Sequence, residues 1–321
     1  MKLIRNAAVY RAAFPDGMTP DSLSEALSTK TFSEPSASSI IAGGFVPIRE
    51  LGPLVQPFPG GFAVAFRIDQ KKIPASAVNA KVTERARSVQ QDTGRKPGSK
   101  MRKQIREDVI SELAVQAIPT TTITQVYYHE ATKTLVVPAS SQRTCDTIMT
   151  ALVQAVGSIK TSTVWFSGIK QGLTTRLTTW LDQQEAEVKD ESAADPFEGF
   201  HATGKLTLKA PGGRSIAVSA ATLYESAKAL REAITVGCEV TQMRLCIESG
   251  ETFTLTEKFQ LRGLDFIETE GDEPPETDEL AWEAAAAYQS ATVASIISQL
   301  CQLLGFDLDP KEDEQGDGLA A

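Results

Sequence analysis

A chain of 321 residues with 41% hydrophobic content carries enough apolar material for a core larger than that of one average domain, under a formal net charge of −9. Two histidines (His129 and His201) and four scattered cysteines without a CxxC pair argue against a His-based metal cluster, a Ser/His triad, a zinc site or a disulfide frame. No run of about eighteen apolar residues is present, and residues 1–10 lack the apolar run and cleavage site of a signal peptide, so no membrane span and a cytoplasmic location are expected.

In chain order, residues 3–11 read as a strand, and Thr19 as N-cap with Pro20 at the first helical position opens a helix through Leu23, Ala26 and Leu27. Residues 43–47 read as loop or sheet edge. Residues 61–68 alternate with Phe62, Val64 and Phe66 on one face, which predicts a strand. That strand runs into Lys71 and Lys72.

From there the chain changes character. Between Lys71 and Arg106 it carries eleven Lys and Arg against Glu84 and Asp92 alone. In an acidic molecule, positive charge gathered into one segment points to a polyanion partner. Val78, Val82, Ala86 and Val89 recur at helical spacing and leave Lys81 and Arg85 one turn apart on another face, near Arg87. Residues 92–99 are rich in breakers and predict an exposed loop carrying Arg95 and Lys96. A second helix follows, with Met101, Ile105, Val109 and Leu113 as its apolar stripe and Lys100, Arg102, Lys103 and Arg106 beside it. Two helices with one apolar stripe each are expected to pack together and turn their cations outward.

Beyond the hairpin, residues 123–128 and 135–137 read as strands joined by a turn at 130–133, and residues 141–156 as an amphipathic helix through Ile148, Leu152 and Val156. A short strand at 162–166 precedes a helix holding Leu173, Leu177, Trp180 and Leu181, and the polar stretch 183–196 reads as a hinge. Residues 205–208, 239–247 and 252–261 read as strands, with a helix at 223–234, and residues 280–304 as a long Ala-rich helix. Residues 265–283 hold nine Asp and Glu and no Lys or Arg, and residues 307–317 form a second acidic run. Both read as solvated segments that also repel DNA from every surface except the basic one.

The fold class is therefore α+β, built of mixed helical and sheet subdomains. A central region spans 1–73 plus 115–182, a basic helical hairpin 74–114, a second α+β region with the last helix 183–306, and an acidic tail, expected to be disordered, 307–321. The candidate phosphate-binding residues are Lys71, Lys72, Lys81, Arg85, Arg87, Arg95, Lys96, Lys100, Arg102, Lys103 and Arg106. Cations on the outside of a hairpin neutralise phosphates irrespective of sequence. No recognition-helix, zinc-finger or aromatic RNP pattern offers base readout. Tyr127, Tyr128, Trp165 and Trp180 fall at periodic positions expected in the core. Glu107 and Asp108 are the adjacent carboxylates a nuclease would need near this surface, but neighbours on a helix point apart. No catalytic residue, metal or cofactor is expected. A non-enzymatic adaptor that docks an acidic protein on the hairpin is the alternative.

Several ordered stretches carry a family resemblance. Residues 2–11 (KLIRNAAVYR), Gly44-Phe45-Val46-Pro47, the turn Lys71-Lys72-Ile73-Pro74 entering a basic helix, Gly157-Ser158, residues 177–181 (LTTWL), residues 240–246 and residues 261–266 resemble the recombination-associated protein family RdgC over residues 1 to about 305. The resemblance implies a DNA-binding protein without catalytic activity. It implies an elongated, horseshoe-like protomer that closes with a second copy into a ring-shaped homodimer around duplex DNA, with single strands a lesser candidate. It further implies antagonism of the RecA recombinase, a replication-linked role and a nucleoid-associated location. It places the hairpin at the tip of the horseshoe, and a basic finger at residues 205–214 that adds Lys205, Lys209 and Arg214. Residues 117–122 (AIPTTT) depart from an aromatic-containing segment of the family, and Gly212-Gly213 is this chain's own.

Overall fold

The computed structural model describes residues 1–37, 39–164, 168–185, 195–267 and 277–306. Strand β1 (Asn6–Ala13) leads to α1 (Pro20–Ser28), where Thr19 and Ser22 form a capping box with Pro20 at the first position. Then come β2 (Ile41–Val46), β3 (Val55–Phe58) and β4 (Gly61–Lys71), followed by α2 (Ala75–Thr93) and α3 (Ser99–Gln116). The chain continues with β5 (Pro119–His129), β6 (Thr134–Val137), α4 (Gln142–Val156), β7 (Lys160–Thr163) and α5 (Ile169–Glu185). The remainder is β8 (Phe200–Lys209), β9 (Ser215–Ser219), α6 (Leu223–Thr235), β10 (Glu239–Ile247), β11 (Thr252–Thr256), β12 (Leu261–Asp265) and α7 (Asp278–Leu304).

Every strand pair is antiparallel, and the order is β2-β4-β5-β6-β1-β12-β11-β10-β8-β9, with β3 on β4 and β7 on β1. Strand β1 joins the two halves. Its Asn6 and Ala7 pair with β12, while Ala8 to Arg11 pair with β6. The fold is thus α+β, as the alternating segments predict.

Pleating sorts the first half into two buried faces. Phe62, Val64, Phe66, Val126, Tyr128, Leu135 and Val137 meet Leu23 and Leu27 of α1 and Ile148 and Leu152 of α4. The alternate residues Ala63, Tyr127 and Val136 belong to a second core with Phe58 and Trp282 of α7. That core continues through Leu206, Leu208, Met243, Leu245, Phe253 and Leu255 of the second half, under α5, α6 and the rest of α7. Gly61 marks one close approach, since a β-carbon there would lie 1.8 Å from the Tyr128 carbonyl oxygen.

Helix α7 ties the halves together. Trp282 sits beside Phe58 and Tyr127 and donates its indole N–H to Gln125 Oε1 at 3.1 Å, while Leu300 and Leu303 lie in the core with α5. Buried Gln289 accepts the backbone N–H of both Leu3 and Ile4 at 2.9 Å and donates to the Met1 carbonyl. Its polar group is thereby satisfied within an apolar helix face.

Residues 43–47, read as loop or sheet edge, lie mostly in β2, an edge strand. Several other sequence expectations are corrected. The single strand read at 252–261 is two strands, because a turn containing Phe259 at φ 54° reverses the chain. Strands β3 and β9 were missed, being short edge strands with little alternation. The boundary at 183 falls inside α5, whose Leu173, Leu177 and Leu181 belong to the core shared with the second region. The strand read at 162–166 is β7, with Trp165 and Phe166 outside the described residues. Most of the proposed hinge, much of the first acidic run and the tail also lie outside them.

Candidate nucleic-acid interface

Helices α2 and α3 form a hairpin with its own small core. Val78, Ile105 and Val109 are buried against one another, with Ile73, Val82, Val89, Ile110 and Leu113 packed around them. Gly94 ends α2 in the left-handed conformation at φ 70°, which a β-carbon would strain, and Gly98 starts α3. Met101, placed on the stripe by spacing, is 49% exposed and lies outside the hairpin's small core.

The hairpin cations fall into three groups. Lys71 is buried, its ammonium donating to the Ser36 and Ala37 carbonyls at 3.3 and 2.7 Å, so it is committed to the fold and not displayed. Lys81 and Arg85 both pair with Glu112, Lys81 at 2.9 Å. Those contacts, the Lys81 hydrogen bond foremost, hold the Glu112 carboxyl below its usual range. Arg106 donates to Asn79 Oδ1 at 3.0 Å, and Lys103 lies 3.9 Å from Glu107. Lys72, Arg87, Arg95, Lys96, Lys100 and Arg102 are exposed, and among the described residues none of them forms an ion pair.

Four of these six, Arg95, Lys96, Lys100 and Arg102, cluster at the turn. Lys100 and Arg102 stand in the opening turn of α3, which has no acidic residue. The helix dipole disfavours cations at that end by about 0.3–1 kcal/mol each. Helix stability alone therefore does not account for the positive charge at this end. Glu107 and Asp108 do not converge: Glu107 faces Lys103, and Asp108 accepts from Gln104. Among the described residues no three His, Cys, Asp or Glu side chains come together as a metal site.

Lys205, Lys209 and Arg214 are exposed on β8 and its turn into β9. In strand order β6, β1, β12, β11 and β10 separate β5, where the hairpin returns to the sheet, from β8. The structure therefore does not gather all fourteen candidates into one patch. It adds two residues that the sequence reading missed. On the sheet face opposite Leu206, Met243 and Leu261, register aligns Arg244 of β10 with Thr254 of β11, and Thr254 with Arg262 of β12. Both arginines are half-buried and bond neutral acceptors. Arg244 donates to the Gly263 carbonyl and Thr252 Oγ1, and Arg262 to Gln260 Oε1. Their alternation with buried neighbours was legible in sequence, but the row across strands needed the register.

The family model described as "Putative exonuclease, RdgC" matches residues 3–307. A relative named "Recombination-associated protein RdgC" from Bordetella pertussis is 23% identical over 304 residues, covering 94% of this chain and 97% of its own length. Proteins of the same name from Janthinobacterium sp. (23% over 310 residues; 96% and 99%) and Burkholderia orbicola (24% over 306 residues; 94% and 95%) are similar to it over the same extent. No helix among the described residues is long and apolar enough to cross a membrane. With a model match running through both halves of the sheet, the hairpin and α7, the chain belongs to the RdgC family.

Proposed function

We propose that this protein binds duplex DNA through its phosphates, without regard to sequence, as a homodimer whose protomers close into a ring around the duplex. In this reading the bound ring restrains RecA-dependent recombination by limiting access to DNA, which the relatives' name, recombination-associated protein, supports. The single observation that carries the DNA-binding part is the hairpin turn, with its exposed cations free of acidic partners and set against the dipole of α3. Such a surface meets a polyanion by releasing counterions, a term that depends on salt and not on base sequence. The second cationic surface, on β8, β10 and β12, stands apart from the first, which suits a ligand long enough to touch both or to pass between them.

The phosphate contacts in this reading are Lys72, Arg87, Arg95, Lys96, Lys100, Lys103 and Arg102, then Lys205, Lys209 and Arg214, with Arg244 and Arg262 beside them. Lys81, Arg85 and Arg106 act at the hairpin's own helix-helix contact first. The chain is read as binding without cleaving, because Glu107, Asp108 and Glu112 are each engaged with a neighbouring side chain rather than aimed at one point.

Fluorescence anisotropy with labelled duplex and single strands of mixed sequence, at low and moderate salt, tests the proposal. Sequence-indifferent duplex binding that falls steeply with salt is expected. No binding at low salt would overturn it in favour of a protein-docking role for the hairpin. Sedimentation should give twice the 34.5 kDa chain mass, and the labelled strands should stay intact with Mg²⁺. A monomer would remove the ring, and strand shortening abolished by a chelator would remove the non-catalytic reading.

A further inference from the structure

Lys205, Lys209 and Arg214 surround the β8–β9 turn as exposed cations, and none forms an ion pair among the described residues. A run of contacts through α5 and β10 links the end of α7 to that turn. Leu304 Cδ2 is 3.0 Å from where a β-carbon of Gly172 would be, so α7 ends beside the start of α5. Two residues earlier, Lys170 Nζ donates to Glu239 Oε2 at 2.9 Å, and Glu239 pairs across the sheet with Lys209. A β-carbon on Gly237 would lie 3.3 Å from Pro211 Cγ in the turn itself. These touching groups span on the order of 20 Å at about 5 Å per strand step. Just beyond α7, residues 307–317 hold six Asp and Glu and one Lys. The family match stops at residue 307, so all of this charge except Asp307 lies beyond the matched stretch.

We propose that the acidic segment 307–317 docks on the surface formed by Lys205, Lys209 and Arg214 of the same chain, and competes there with DNA phosphates. The docking stands without the DNA-binding reading; only the competition rests on it. Reach allows this surface. Eleven residues reach at most about 37 Å even when fully extended. The contacts that run from Leu304 through α5 and β10 to the β8–β9 turn bring this surface within that limit. Each exposed pair contributes at most about 1 kcal/mol, so the segment acts as a salt-sensitive competitor and not as a lock.

Carbodiimide coupling on the full chain, which joins Lys to carboxylates in contact, is the test. Digestion and mass spectrometry should find Lys205 or Lys209 joined to Asp307, Asp309, Glu312, Asp313, Glu314 or Asp317 at low salt and not at high salt. The Lys170–Glu239 pair is the internal control. Coupling of the segment to Lys96, Lys100 or Lys103 instead, or to nothing while the control couples, would overturn the docking. So would coupling found only between isotopically light and heavy copies mixed together. In parallel, the variant D307N/D309N/E312Q/D313N/E314Q/D317N should bind duplex about three- to tenfold tighter at low salt, as a millimolar effective concentration displaced by DNA implies. Equal affinity would overturn the competition. Failure of both proteins to bind DNA would sink the functional reading and leave the coupling result to decide the docking.

Discussion

Replacing Arg95, Lys96, Lys100 and Arg102 together by Gln removes the charge of the hairpin turn while keeping polar, helix-compatible side chains. All four are exposed and without ion pairs among the described residues, so the fold should lose almost nothing. Relief from the α3 dipole should even stabilise the helix slightly. Binding should respond differently. Each phosphate contact contributes about 0.9 to the slope of log K against log salt, so loss of four lowers the slope by about 3.6. Referred to 1 M salt, each contact is worth roughly eightfold at 0.1 M, giving an upper limit of about 4 × 10³-fold for the quadruple variant. Anisotropy titrations at several salt concentrations, on two unrelated duplex sequences, measure both quantities. An unchanged slope in a folded variant would refute phosphate contact at the turn, and a loss confined to one sequence would refute sequence-indifferent binding.

Glu112→Gln should have the opposite sign, because it releases Lys81 and Arg85; duplex binding should tighten and the salt slope steepen by up to about 1.8, with little change in melting temperature for an exposed pair. Lys71→Met, in contrast, should lower thermal stability and leave the salt slope unchanged, since the Lys71 ammonium serves the Ser36 and Ala37 carbonyls. Trp282→Ala should destabilise by about 3–5 kcal/mol in denaturant titration, through loss of packing on Phe58 and Tyr127 in the core shared by both halves; a cost below 1 kcal/mol would deny α7 its tying role. Burial raises the pKa of Glu251, but hydrogen bonds from Ser249 and Tyr288 outweigh it and leave the carboxyl below its usual value. A carboxyl depressed in the folded state stabilises above its unfolded pKa, so stability should fall as pH drops below about 4.5, and Glu251→Gln should flatten that limb of the melting profile.

Local patterns were enough for much of this protein. The Thr19-Pro20 start of α1, the alternation of Phe62, Val64 and Phe66, and the apolar stripes of α2, α3 and α4 follow from spacing and capping, which act within a few residues. The basic hairpin was legible for the same reason: charge and breakers are written along the chain. What the sequence could not show is which cations are spent within the fold. Lys71 and Lys72 are adjacent and alike, yet one is buried against carbonyls supplied by residues 36 and 37 and the other is exposed. Likewise Lys81 and Arg85 meet Glu112 only because α3 folds back on α2. Short strands β3 and β9 stayed hidden because an edge strand has one partner and weak alternation. The Arg244 and Arg262 row exists only through the register of β10, β11 and β12, and the sharing of one core between the two regions only through α7. Periodicity and charge order are properties of neighbours in the chain, whereas pairing and burial depend on groups brought together from distant positions, and these the tertiary structure alone decides.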